Sequence, residues 1–61
     1  MLGLKIHRKK KKMSRRELAD KLGVTATTIY LWETGRRQPK DDKTLIRLAE
    51  LLDCLVDDLI R

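Results

Sequence analysis

Gly23 restricts what this chain can become more than any other residue, because a short helical pattern approaches it from each side. Before it, Leu18, Ala19 and Leu22 fall at i, i+1 and i+4, the apolar stripe of one helix. After it, Ile29 and Trp32 mark the stripe of a second helix that starts beyond Thr25. Glycine has no Cβ to clash at φ > 0, so Gly23 can end the first helix and turn the chain, letting Val24 enter the core. Ala19 carries the matching constraint. Two helices that cross steeply over a short turn bring their backbones close, and only a small side chain fits there.

Both helix starts are marked. Ser14 and Glu17 have the spacing of a capping box, each side chain accepting from the other residue's backbone N–H. Thr25 is placed to accept from the N–H of Thr27 or Thr28 at the start of the following helix. With its small alanine, turn glycine and following Ile29 at these spacings, the stretch from Ser14 to Gly35 resembles the helix-turn-helix of the phage-repressor family of Cro/XRE type. The resemblance runs from about Leu4 to Ile60 and implies an all-α fold, a five-helix lambda-repressor-like bundle forming one domain. Residues 14 to 34 would be its helix-turn-helix.

The charge points the same way. Fifteen lysines and arginines against nine aspartates and glutamates give a 61-residue chain a net charge of +6. That balance suits a polyanionic partner, nucleic acid or an anionic surface. It is also uneven: every charged residue from Lys5 to Arg16 is basic, whereas Asp41, Asp42, Glu50, Asp53, Asp57 and Asp58 crowd the last third. No apolar run approaches membrane-spanning length, and the N-terminal stretch lacks the apolar segment of a signal peptide. A cytoplasmic protein with no membrane partner is expected. The lysines alternate with no continuous apolar face, which argues against a membrane-surface peptide. One cysteine excludes an internal disulfide framework, and Cys54 beside Leu52, Leu55 and Val56 reads as a buried apolar thiol. With one His and one Cys, neither a nucleophilic triad nor a metal site can be assembled, and no Gly-rich phosphate loop is present. No enzyme, metal or cofactor is expected.

Outside the central motif the spacing predicts a first helix over residues 3 to 11, with Leu4 inward and Leu2 and Ile6 partly covered. His7 reads as a partly buried packing residue. Asp41 or Asp42 is expected to cap a further helix with the stripe Leu45, Ile46, Leu48, Ala49 and Leu52, and a last helical turn follows from Val56 to Ile60. Gly35 suits a C′ position and Pro39 prevents the preceding helix from resuming. The family resemblance adds roles. Lys12 and Asp53 stand where its members favour glycine, so a left-handed turn at Lys12 would cost about 1–2 kcal/mol. Arg8 and Glu33 would form a structural ion pair, and Cys54, Leu55 and Val56 would contribute to a homodimer contact.

The function expected on these grounds is sequence-specific regulation of transcription on double-stranded DNA, by a small repressor binding a pseudo-palindromic operator as a dimer. The second helix of the motif would enter the major groove, where helical spacing turns Ala26, Thr27, Tyr30 and Leu31 away from the Ile29 and Trp32 stripe and toward the bases. Arg15, Thr25, Thr28, Thr34, Arg36, Arg37 and Lys40 would contact phosphates. The alternative is an antitoxin, a protein that binds a partner toxin and represses its own operon through the same domain.

Overall fold

Each of the first four helices is ended by one residue with positive φ, and these reversals set the course of the chain. In the computed structural model, which describes residues 1–61, the helices are α1 (Leu2–Lys10), α2 (Arg15–Leu22), α3 (Ala26–Glu33), α4 (Asp42–Leu52) and α5 (Val56–Ile60). The reversing residues are Lys12 (φ 56°), Gly23 (83°), Gly35 (80°) and Asp53 (53°). At each, the amide that follows bonds back into the last turn: Met13 N–H to the Arg8 carbonyl (3.2 Å), Val24 to Ala19 (3.0 Å), Arg36 to Leu31 (3.0 Å) and Cys54 to Ala49 (3.0 Å). This is the Schellman pattern, which satisfies carbonyls that a helix end otherwise leaves free.

The starts follow the sequence closely. Ser14 and Glu17 form the full capping box, with the Glu17 N–H donating to Ser14 Oγ at 3.0 Å and the Ser14 N–H to Glu17 Oε1 at 3.1 Å. The Thr28 N–H donates to Thr25 Oγ1 at 3.2 Å. Of the two possible caps for α4 it is Asp41 that serves, its Oδ1 accepting from the Thr44 N–H at 3.0 Å. The Thr44 side chain and then this backbone bond hold the Asp41 carboxyl below its ordinary pKa, with neighbouring Lys43 contributing.

The five helices close on one another in a ring: α1 packs on α3, α3 on α2, α2 on α4, α4 on α5, and α5 back on α1. The ring surrounds Leu4, Leu18, Ile29, Leu48, Leu52 and Leu59, all fully buried, with Met1, Ala19, Trp32 and Ala49 at their margin. Burying each of these large aliphatic side chains contributes about 1.5–3 kcal/mol. Ala19, 1% exposed, is buried on α2, the helix that packs on α3. Gly3 sits in the contact between α1 and α5, where a Cβ would lie 1.7 Å from the Asp58 carbonyl oxygen. The pairing continues as a 2.9 Å bond from the Gly3 N–H to the Arg61 carbonyl.

The structure departs from the expected pattern in four places. Helix α1 begins one residue earlier and ends one earlier than residues 3 to 11. Leu2 and Ile6 are exposed, at 61% and 46%, rather than partly covered. They are four residues apart and share one face, and Leu4 between them points the opposite way into the ring. Ile46 is likewise 52% exposed, because 100° per residue carries it across α4 from buried Leu48. His7 is half-buried, and Cys54 is half-buried rather than buried. No helix is long and apolar enough to cross a membrane.

Candidate nucleic-acid interface

Helix α3 divides its residues cleanly between the core and solvent. Ile29, Trp32 and Glu33 are buried, while Ala26, Thr27 and Tyr30 are exposed and Leu31 is half-buried. The helix therefore lies on the surface with a small, mostly apolar and hydroxyl-bearing face outward. Its first turn holds no acidic residue, so the positive end of the helix dipole is not neutralised locally. Thr25 and Thr28 stand at that end with their hydroxyls 2.9 Å apart, one donating to the other. At the opposite end Thr34 is exposed, and its hydroxyl donates to the Leu31 carbonyl at 3.2 Å.

Behind this face lies a three-residue ion cluster. Glu33, with a side chain only 1% exposed, accepts from Arg8 Nε on Oε2 at 2.6 Å and from Arg15 Nε on Oε1 at 2.9 Å. Arg8 is itself buried and also donates through Nη1 to the Met13 carbonyl at 2.7 Å, tying the loop after α1 to the cluster. Each carboxylate oxygen thus has a charged donor, the condition under which a buried carboxylate is tolerated. Arg15, expected among the phosphate contacts alone, is therefore also a member of this structural cluster. Its guanidinium further lies 5.2 Å from the centroid of the Tyr30 ring, within cation–π range. The linear sequence carries no signal for either Arg15 contact, because residues 15, 30 and 33 are joined only by the way α2 crosses α3.

The loop that follows α3 is fixed by its backbone and free in its side chains. The amides of Arg36 and Arg37 both donate to the Leu31 carbonyl, at 3.0 and 3.2 Å. Arg36, Arg37 and Lys40 are exposed and form no ion pair within the chain. The Lys11–Asp53 pair, 3.7 Å apart on the surface, contributes little. Most of the positive charge of this protein is consequently left without an internal counter-charge.

At the far end of the chain, Cys54, Leu55 and Val56 lead into α5. Leu55 is 70% exposed, and Cys54 and Val56 are half-buried against the core. Leu55 has no hydroxyl to cap α5, and its own N–H donates to Asp58 Oδ2 at 3.1 Å instead. Burial pushes the Cys54 thiol up, with Asp58 and Asp53 adding to the shift, so the group stays a protonated, unreactive thiol near neutral pH.

A family model described as helix-turn-helix matches residues 4–59. This chain belongs to the Cro/XRE-type helix-turn-helix family. The match takes in all of α2 and α3 together with the helices that brace them. It makes this helix-turn-helix protein a member of a family of DNA-binding transcription regulators. The chain is similar to the uncharacterized HTH-type transcriptional regulator YqaE of Bacillus subtilis, at 43% identity over 58 residues, or 95% of this chain and 49% of that protein. It spans about half the length of that curated relative. No solved structure matches the chain.

Proposed function

We propose that this protein is a cytoplasmic repressor that binds a pseudo-palindromic operator as a homodimer, with α3 in the major groove. The observation that carries the reading is the pairing of the exposed α3 face with the basic side chains of Arg36, Arg37 and Lys40, which have no internal partner. Ala26 and Leu31 offer apolar contact to thymine methyls, and Thr27 and the Tyr30 hydroxyl offer hydrogen bonds to base edges. Arg15, Thr25, Thr28, Thr34, Arg36, Arg37 and Lys40 flank that face and supply phosphate contacts that fix the register without reading sequence. The operator is accordingly rich in A·T pairs, with modest discrimination at each position.

Size supports a dimer. The protein measures 23 × 22 × 19 Å, so two copies whose recognition helices sit ~34 Å apart, one turn of the duplex, lie side by side with faces free to touch. Exposed Leu55, with Cys54 and Val56, is the surface assigned to that contact. Binding is tested by titrating a duplex operator at increasing salt: with ~5–8 phosphates neutralised per dimer, log K falls linearly with log salt at about −0.9 per contact. A salt-independent affinity removes the DNA reading. Sedimentation of Leu55→Glu tests the contact, since an unchanged dimer would place the interface elsewhere.

A further inference from the structure

Arg15 is held in a way that a simple phosphate contact does not require. Glu33 Oε1 is buried, and Arg15 Nε is its donor, so a guanidinium that swung out to follow a phosphate would leave that oxygen unpaired inside the protein. Arg8 already satisfies Oε2. One carboxylate between two guanidinium groups leaves the cluster with a net positive charge, and that charge belongs to Arg15, whose side chain is 38% exposed. The bond to Glu33 uses Nε, and the terminal nitrogens make no hydrogen bond within the chain. Its planar group also lies 5.2 Å from the centre of the Tyr30 ring. Tyr30 and Glu33 are three residues apart on α3 and therefore neighbours on its surface, so one arginine from α2 spans both.

We propose that Arg15 is a positioning residue for Tyr30: anchored by Glu33, it covers one side of the aromatic ring and holds the Tyr30 side chain in a single rotamer before DNA binds. The inference rests on α3 being the reading helix and deepens that assignment. Tyr30 is 42% exposed, and an exposed tyrosine with no covered side samples several rotamers that must be frozen on binding. Fixing one in advance removes that ordering cost and directs the hydroxyl to one place in the groove. Arg15 thereby affects which base is preferred at the Tyr30 position without touching a base itself. Lysine cannot substitute, because a point charge on a flexible stem lacks both the Nε–H that Glu33 receives and the plane that lies over the ring.

The test compares the wild type with Arg15→Lys, Arg15→Gln and Tyr30→Phe, reading side-chain couplings of residue 30 by NMR in the free protein and base preference by selection from random duplexes. The wild type shows one Tyr30 rotamer, and both Arg15 variants show averaged couplings. At one base pair per half-site, discrimination falls roughly 2- to 10-fold in both, the size of a cation–π contact, while preferences elsewhere are kept. Arg15→Lys retains the salt slope, which separates this effect from loss of a phosphate contact. In Tyr30→Phe the ring stays in a single rotamer, because the plane rather than the hydroxyl is what Arg15 covers. Unaveraged couplings in the Arg15 variants, or an unchanged base preference with uniformly weaker binding, would overturn the proposal and reduce Arg15 to a phosphate contact, leaving the α3 reading intact. If instead the wild type selects no sequence at all, it is the α3 reading that fails, and the couplings still report whether Arg15 holds the ring.

Discussion

Arg8 and Glu33, 25 residues apart in the chain, meet at 2.6 Å with both side chains inside the protein. Their loss is not symmetric. Removing Glu33 leaves the Arg8 guanidinium buried with only the Met13 carbonyl, whereas removing Arg8 leaves Glu33 still bonded to Arg15. Glu33→Gln is expected to cost about 3–5 kcal/mol, and Arg8→Met to fall toward the lower end of that range. The double variant should be less than additive. Urea denaturation of the three proteins measures this, and small, additive effects would mean that the cluster does not form in solution.

Lys12 and Asp53 both adopt the left-handed conformation, at a cost that glycine does not bear. Lys12→Gly is expected to raise stability by roughly 1 kcal/mol, less than the full strain because glycine also loosens the unfolded chain. Asp53→Gly should gain less, since aspartate tolerates this region better than lysine. The midpoint of chemical denaturation reads both, and a destabilised Lys12→Gly protein would contradict the assigned turn.

Asp41 makes stability depend on pH in a stated direction. Its folded-state carboxyl is held below the ordinary value by the bonds to Thr44, so its contribution is complete above the unfolded pKa and is lost as pH falls through the lowered one. Asparagine keeps the cap but not the charge. The melting temperature of the wild type should therefore exceed that of Asp41→Asn near neutral pH, and the gap should close on acidification. A gap that stays constant with pH would show that the charge plays no part.

The features that repeat locally were the ones that could be read from the chain. The Ser14–Glu17 box, the Thr25 cap and the Gly23 reversal each depend on residues within a few positions of one another. The helix-turn-helix is therefore legible in the sequence. What the linear pattern could not supply was the third dimension of the ring. Ile46 falls within the apolar stripe of the sequence, but its place opposite Leu48 leaves it in water. Gly3 carried no turn signal, and its role comes from the approach of α5, whose contact with α1 joins the two ends of the chain. Arg15 reads from the sequence as a phosphate contact, and its links to Glu33 and Tyr30 arise only where α2 crosses α3. Fold was more legible than site because capping acts over one helical turn, whereas these contacts join different helices.

Selection of bound sites from random duplex DNA, performed with the wild type and with Thr27→Ala and Leu31→Ala, tests most directly that the exposed face of α3 reads base edges. The wild type should enrich an A·T-rich sequence with two-fold symmetry, and each substitution should relax preference at its own position in both half-sites by about 1–3 kcal/mol or less. An unchanged motif in both variants, or no enriched sequence in the wild type, would contradict the assignment of α3 as the reading helix.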